Sequence, residues 1–447
     1  MKAFKAYDIR GVWGRDLNPQ IAYKIGNFVP KVFGVNQVLI GRDIRLSSNE
    51  IFQQLSNGLM DAGANVIDAG LSTTPMVYWG TGKFNIEFSI MITASHNSSE
   101  YNGMKFSGSN VTPIGYDNGL NTLEKLITDS APQIKSEKGK LEKLDFKDQY
   151  FDFLNSYKPN CTNLKIAIDC SNGMSALFTK RLFGENPIYI NDKMDGTFPG
   201  HDPNPLETDN QKQIKECVTS NKCDIGVIYD GDADRVMFID EKGKFVSPDL
   251  IIALLAKYFF EDRGERGTVV QDIRTSKSVG DYLKKYDTEL VIWKVGRAFG
   301  ATKLKEVNGI YGGELAGHYY FRDFYYSDSG LLASVLVLNI VSKLKLEGVK
   351  FSQVMDAIST YANTGEVNFI INEKQEAMDA VLEYFKDNND NYKFFDFDGY
   401  RLEFTNWWFN IRPSNTEPYL RFLAEAESEE LLESKTRIIY GILSKYE

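Results

Sequence analysis

A chain of 447 residues has room for roughly three domains, or four small ones. With 43% apolar and 25% charged residues it can fill several hydrophobic cores, which excludes a disordered polyelectrolyte. A net charge of −10 and an isoelectric point near 5.1 argue against a general nucleic-acid binder, but leave room for an anionic substrate held by local arginines and lysines.

The sequence runs almost at once into Tyr7-Asp8-Ile9-Arg10-Gly11, leaving no room for a signal peptide, so a cytoplasmic protein is expected. Val38-Leu39-Ile40 reads as a strand entering Gly41-Arg42-Asp43-Ile44-Arg45. Ser47 or Ser48 then caps a helix with Ile51, Leu55, Leu59 and Met60 on its inner face. Val66-Ile67-Asp68-Ala69-Gly70 is the next strand, and the alternation predicts a mixed, largely parallel sheet. Phe88-Ser89-Ile90-Met91-Ile92 reads as a buried strand that delivers Thr93-Ala94-Ser95-His96-Asn97. The Ser95 hydroxyl is thereby set at the carboxyl edge of a sheet, where open α/β sheets bind ligands. Tyr101-Asn102-Gly103-Met104-Lys105 brings an ammonium ten residues behind it. The plain alternative is a polar turn after a strand.

The polar stretch 135–143 begins the first boundary, and a helix over 146–157 leads to a strand over 164–169. A further strand, Cys223-Asp224-Ile225-Gly226-Val227-Ile228-Tyr229, ends in Asp230-Gly231-Asp232-Ala233-Asp234-Arg235. Three alternating carboxylates repel one another unless a hard cation, Mg²⁺ or Ca²⁺, lies between them. Arg235 adds a donor fork suited to phosphate. A helix–loop–helix calcium site also matches Asp230, Asp232, Asp234 and Glu241, but it needs glycine where Arg235 stands and a helix in front.

The third unit starts near Pro248 with a helix over 250–260, strands over 268–270 and 290–292, and a last helix over 329–344. Within it, Gly312-Gly313-Glu314-Leu315-Ala316-Gly317-His318 allows close backbone approach to a ligand. Glu314 can accept from two neighbouring sugar hydroxyls, and His318 can move a proton. The longest apolar run, 331–341, is too short to cross a bilayer. The last unit carries strands over 367–371, 401–404 and 407–411 and helices over 374–388 and 428–445. Its turn Arg412-Pro413-Ser414-Asn415-Thr416-Glu417-Pro418 gathers a guanidinium, hydroxyls, an amide and loop N–H groups into an anion cradle. Cys161, Cys170, Cys217 and Cys223 have no metal-like spacing and read as reduced thiols.

Taken in order, Tyr7–Gly11, the serine loop, the Asp230–Arg235 loop, Trp293-Lys294-Val295-Gly296, Glu314–His318 and Arg412–Thr416 span nearly the whole chain. In that order and register the chain resembles the α-D-phosphohexomutase family, most closely its phosphomannomutase/phosphoglucomutase branch. The resemblance implies three consecutive mixed-sheet α/β domains (1–145, 146–247, 248–365) and a C-terminal α+β domain (366–447) around a central cleft. It also implies a reaction in which hexose 1-phosphate and hexose 6-phosphate, of mannose or glucose, interconvert through a hexose 1,6-bisphosphate.

By the same resemblance Ser95 carries the phosphoryl group, and Asp230, Asp232 and Asp234 with the Ser95 phosphate hold Mg²⁺. Lys105, Arg10 and His318 are the candidates for proton transfer, Lys105 provided that a positive site lowers its pKa. Tyr7, His96, Arg235, Arg274 and Arg297 contact substrate or phosphate. Glu314 reads ring hydroxyls, and Arg412, Ser414, Asn415 and Thr416 hold the non-reacting phosphate. The intermediate has to turn end over end, which calls for a mobile final domain. The partners implied are small sugar phosphates, with no nucleic acid and no membrane.

Three positions depart from the family pattern. Ser98 stands for a proline, which is expected to loosen the serine loop; Ala316 stands for a serine; Arg297 stands for a histidine. Three rival readings remain: a metal-dependent phosphatase with an aspartate nucleophile, a non-catalytic sugar-phosphate binder, and a phosphoglucosamine mutase. The last usually carries glutamine at the position of Leu315.

Overall fold

The computed structural model describes residues 1–388, 391–414 and 419–447. Among these residues four sheets follow one another along the chain. The first runs Ile9–Val12, Tyr101–Gly108, Ser89–Ile92, Gln37–Arg42, Asn65–Leu71, Leu141–Lys143, with Thr112–Ile114 added beside Tyr101–Gly108. Gln37–Arg42 is parallel to both Asn65–Leu71 and Ser89–Ile92, as βαβ crossovers through the helices Ser48–Asp61 and Thr74–Lys83 require. Ser89–Ile92 then turns back into Tyr101–Gly108, placing Met91 opposite Lys105.

The second sheet is ordered Phe245–Val246, Val236–Asp240, Ile225–Tyr229, Ile166–Asp169, Ile188–Ile190, and the third Leu290–Trp293, Val269–Asp272, Tyr311–Gly313, Tyr319–Phe321. The fourth is antiparallel around Tyr419–Ala426 and Trp407–Pro413, backed by the helices Lys374–Asp387 and Glu429–Leu443. It includes Ala362–Asn363, ahead of the 366 boundary expected from the sequence. In each of the first three units the singled-out motif is a short connection between antiparallel neighbours. Residues 93–100 join Ser89–Ile92 to Tyr101–Gly108, 230–235 join Ile225–Tyr229 to Val236–Asp240, and 314–318 join Tyr311–Gly313 to Tyr319–Phe321.

Several elements lie outside the sequence expectation, among them one helix and one strand of opposite burial. Phe351–Ile358 is a short helix with Phe351, Met355 and Ile358 buried, and Leu141–Lys143 is a strand with every residue exposed. The helix expected over 250–260 spans Pro248–Ala256 and continues as a wider π-helical turn, Lys257–Asp262. The Ser48–Asp61 helix buries Ile51, Leu55 and Leu59 as expected, while the Ser47 hydroxyl caps no helix N–H and instead accepts from Asn102 Nδ2 at 2.8 Å.

One apolar core runs through the first three units. Trp79 of Thr74–Lys83 packs on Phe146, Tyr150 and Phe153 at 5.8–6.1 Å between ring centroids, and Tyr150 and Phe153 meet Phe324 of the third unit. The last unit has its own core, built from Phe385, Trp407, Phe409, Phe422 and Ile439 among others. No helix among the described residues is long and apolar enough to cross a membrane.

Candidate active site

The serine and aspartate loops meet face to face. The Ser95 hydroxyl donates to Asp230 Oδ2 at 2.8 Å, and Ser95 is 1% exposed. Ser95 has φ +54 and Ala233 φ +61, left-handed values that cost a non-glycine residue about 1–2 kcal/mol; such strain gathers at functional sites. The contact is tight enough that a β-carbon on Gly231 would lie 2.5 Å from the Ser95 carbonyl oxygen. Carboxylate oxygens of Asp230, Asp232 and Asp234 lie within 4.8 Å of one another, all three residues fully buried. Asp232 Oδ1 and Asp234 Oδ1 have no hydrogen-bond partner among the described residues. Burial and the adjacent Asp234 and Asp232 push Asp230 well above the usual carboxylate range. The strand Ile225–Tyr229 in front of this loop rules out the helix–loop–helix calcium site, and Glu241 instead accepts from Ser352.

Lys105 Nζ donates to Asp232 Oδ2 at 2.7 Å and to Asp234 Oδ2. Burial, which lowers its pKa, is outweighed by these carboxylates, and the pKa is raised. This reverses the depressed lysine on which its use as a base depended. Arg10 donates to Asn97 Oδ1 at 2.7 Å and Asp8 Oδ2 at 2.6 Å, and against the lowering effect of burial Asp8 raises it too. His96 is pushed well below its ordinary pKa by burial and by Arg235, Arg10 and Lys105.

In the third unit His318 Nδ1 faces Asp328 Oδ2 at 2.5 Å, and His318 Nε2 accepts from Arg235 Nε at 3.0 Å. The ring is therefore held as the Nδ1–H tautomer. Arg297 Nε donates to the other Asp328 oxygen at 3.1 Å, its guanidinium lies 3.8 Å over the Tyr78 ring, and its Nη2 is buried without a hydrogen-bond partner among the described residues. Glu314 accepts from the Tyr320 hydroxyl at Oε1, and its Oε2 lies 3.9 Å from Arg274. Arg274 forks onto Asp272, which also accepts from the Leu315 N–H at 2.8 Å and so ties the sugar loop to the sheet. Tyr7 reaches across from the first unit to donate to the Val295 carbonyl at 3.1 Å.

In the last unit Arg412 Nε donates to Asp398 Oδ1 at 3.4 Å, and the Ser414 N–H donates to the Tyr419 carbonyl at 2.9 Å. Asn415 and Thr416 lie outside the described residues. Tyr7, Arg10, His96, Lys105, Asp234, Arg235, Arg274, Arg297, Glu314, His318, Arg412 and Ser414 all line one central cavity of about 1480 Å³.

Sequence reasoning missed three side chains here. Arg45, fully buried, donates to the carbonyls of Ser95 (2.9 Å), Asn97 (2.5 Å), Ser98 (2.6 Å) and Tyr101 (3.0 Å) and so pins the serine loop where Ser98 was expected to loosen it. Asp328 sits in Ser327-Asp328-Ser329-Gly330, directly after two left-handed residues, Tyr325 and Tyr326. Arg421 lines the cavity from the last sheet. A buried-looking arginine or a polar run beside the sugar loop was the available signal.

Descriptions of the four units of one family match the chain in order: "Phosphoglucomutase/phosphomannomutase, alpha/beta/alpha domain I" over 1–133, domain II over 148–243, domain III over 247–361 and the C-terminal domain over 366–436. A phosphomannomutase of Methanocaldococcus jannaschii is 33% identical over 100% of this chain and 98% of its own length, and one of Escherichia coli K12 is 33% identical over 100% and 99%. A crystal structure of a phosphoglucomutase/phosphomannomutase family protein from Burkholderia thailandensis superimposes with a TM-score of 0.88 at 27% identity, covering 100% of this chain and 97% of that one. Likeness that runs end to end, in sequence and in all four sheets, makes this chain a member of the phosphoglucomutase/phosphomannomutase family.

Proposed function

We propose that the protein is a phosphohexomutase that interconverts the 1- and 6-phosphates of mannose, glucose or both. The observation that carries this reading is the Ser95 hydroxyl held 2.8 Å from one of three buried, clustered aspartates, one of which, Asp234, lines a cleft reached by arginines from all four units. The unpartnered Asp232 and Asp234 oxygens and the all-oxygen donor set fit a hard dication, and Asp230, Asp232 and Asp234 would hold Mg²⁺. When bound, the ion offsets negative charge on the transferring phosphoryl group.

Ser95, once phosphorylated, gives its phosphoryl group to a sugar hydroxyl. The Oγ–P bond breaks, an O–P bond to the sugar forms, and the hydroxyl proton leaves to a base. The bisphosphorylated sugar then turns over and returns its other phosphoryl group to Ser95. Arg10, paired with Asp8, orients and neutralises, and Lys105 donates from its seat on Asp232 and Asp234 beside the metal site. His318 is the better proton acceptor: Asp328 fixes Nδ1–H and stabilises the imidazolium that forms, and Nε2 takes the proton once Arg235 turns to the phosphate. Glu314 Oε2 and the Arg274 fork orient the ring, and Arg412 and Ser414, with Asn415 and Thr416 of the same motif, hold the idle phosphate.

A coupled assay with mannose 1-phosphate and glucose 1-phosphate, each with Mg²⁺ and a trace of hexose 1,6-bisphosphate, tests the reading, with intact mass reporting one added phosphoryl group on Ser95. Ser95→Ala abolishes isomerisation. If that variant still releases inorganic phosphate at the wild-type rate, the chain is a phosphatase and this reading fails.

A further inference from the structure

The two faces of the last sheet meet different surroundings. Leu402, Phe409 and Phe422 belong to its own core. By strand alternation Arg401, Trp408, Arg412 and Glu425 share the opposite face, with Trp408 the direct partner of Glu425. On that face Arg412 lines the cavity, while its neighbours hold a turn of the third unit. Arg401 is 1% exposed, lies 3.7 Å over the Trp408 ring and gives Nε and Nη2 to Glu403. Its Nη1 bridges the carbonyls of Ile273 (2.6 Å) and Thr275 (2.9 Å), the residues on either side of Arg274. Buried Glu425 accepts from the Ser276 hydroxyl at 2.9 Å and the Lys277 N–H at 3.2 Å, on the oxygen that also accepts from Trp408 Nε1 at 2.7 Å. Lys277 Nζ in turn donates to the Thr405 carbonyl at 2.9 Å. From its own unit the turn is held by two carboxylates, Asp272 on the Arg274 N–H at 2.7 Å and Asp249 on the Ser276 N–H at 2.8 Å.

Buried charges seldom add more stability than apolar side chains of the same volume, and here both Arg401 and Glu425 are aimed at the main chain around one cavity-lining arginine. We infer that Arg401 and Glu425 are positioning residues for Arg274: by seating on the turn 273–277, the last unit sets the backbone from which Arg274 reaches a sugar phosphate. One nitrogen shared by the carbonyls before and after a residue fixes the peptide planes on both sides of it. Arg401 and Arg412 stand on one face of one sheet, so the hold on the idle phosphate and the placement of Arg274 are made and lost together. Asp272 passes the same adjustment to the sugar loop through the Leu315 N–H. That Arg274 meets a hexose phosphate rests on the mutase reading; the hold of the last unit on the turn does not.

A double-mutant cycle on the full chain separates positioning from general support of the fold. Glucose 6-phosphate is titrated calorimetrically, without turnover, into wild type, Arg401→Met, Arg274→Met and the double variant. Arg401→Met is expected to weaken binding about tenfold, the worth of a lost charge-assisted contact. Once Arg274 is already replaced, the same change is expected to cost less than about twofold, the limit within which independent effects add. Arg401→Lys, which keeps a donor for the two carbonyls, is expected to recover part of the loss. Equal losses in both backgrounds mark a merely structural arginine and overturn the inference, as does unchanged binding by Arg401→Met. Should Arg401→Met fail to fold, Glu425→Gln takes its place in the cycle and is judged the same way. A wild type that shows the non-additive cycle but does not isomerise hexose phosphates refutes the mutase and leaves the positioning standing. An isomerising wild type with an additive cycle refutes the positioning alone, and a chain that does not bind glucose 6-phosphate refutes both.

Discussion

Gly231 and Ser95 show how little slack the site has. A β-carbon at 231 meets the backbone oxygen of Ser95 at 2.5 Å, and backbone, unlike the far end of a side chain, cannot swing away. Gly231→Ala therefore pushes the serine and aspartate loops apart. Overpacking of this kind costs about 1–3 kcal/mol, and a displacement near 1 Å can cost about a hundredfold in rate. The expected result is a folded protein with a modestly lower Tm and turnover down by about two orders of magnitude; wild-type turnover would refute the close approach. The same loop predicts metal-linked stability. Three buried carboxylates, two of them with an unpartnered oxygen, are a liability that a dication removes, so at about a hundred times its dissociation constant Mg²⁺ adds about 2.7 kcal/mol. Thermal melts with Mg²⁺ and with a chelator measure this, and Asp232→Asn should shrink the difference. At this scale the sequence exposed those residues whose chemistry is clustered along the chain, such as the Asp230 to Asp234 alternation. Arg45 and Asp328 stayed hidden because their roles consist of contacts with carbonyls and a histidine that only folding brings near.

Among the elements, the strands that carry motifs were legible because each is a largely apolar run buried on both faces: Ser89–Ile92 and Ile225–Tyr229 are buried at every position. Leu141–Lys143 has no buried position and thus no pattern to read, and the cross-strand meeting of Arg412 with Arg421 depends on a register that hairpin sequence leaves open. The segment 195–211 is a further case, tied to the second sheet through His201 and to the loop after Ile166–Asp169 through Asn172, which accepts from the Asp195 and Gly200 N–H groups. His201 Nε2 lies 3.0 Å from Asp169 Oδ2 and Nδ1 2.8 Å from the Asp202 carbonyl, two acceptors that call for a donor on each ring nitrogen. Against the lowering effect of burial, Asp169 raises its pKa above 6.5. A raised folded value means the stabilisation is complete below about pH 6.5 and is lost as pH climbs through the folded pKa. Melts from pH 5.5 to 8.5 should show Tm falling more steeply for the wild type than for His201→Gln; equal slopes would rule out the charged ring. Pro203 of this segment packs toward Gly231, so its loosening reaches the aspartate loop.

For the whole molecule the contrast is between units that share an interior and one that does not. The first three are joined by the aromatic packing around Trp79, whereas the last is tied to the third mainly by polar contacts, with the Phe397 ring 5.4 Å from Trp293. Arg401 donates to the carbonyls of Ile273 (2.6 Å) and Thr275 (2.9 Å), Ser276 Oγ donates to Glu425 at 2.9 Å, and the Val295 N–H donates to Asp398 at 2.7 Å. Such contacts exchange with water at little net loss, which suits the proposed release and regrip of a turning intermediate. A covalent crosslink across the cleft from residues 366–447 to the first unit should allow one phosphoryl transfer and block net isomerisation; full steady-state activity in the crosslinked protein would contradict the moving unit. Four units were legible from motif order, but which of them share a core was not, because the contact of Tyr150 and Phe153 with Phe324 links residues more than 150 positions apart.

That self-contained interior has a practical corollary. Phe385, Trp407 and Ile439 never touch the greasy centre that binds the other three units, so the tail of the chain is a cartridge. Grafting the matching segment of a relative onto residues 1–361 would ask for the seam at Arg401, Glu425 and Asp398, the Glu366–Arg274 pair and the Phe397 ring on Trp293 to be kept, and a swapped cartridge would carry its own anion grip.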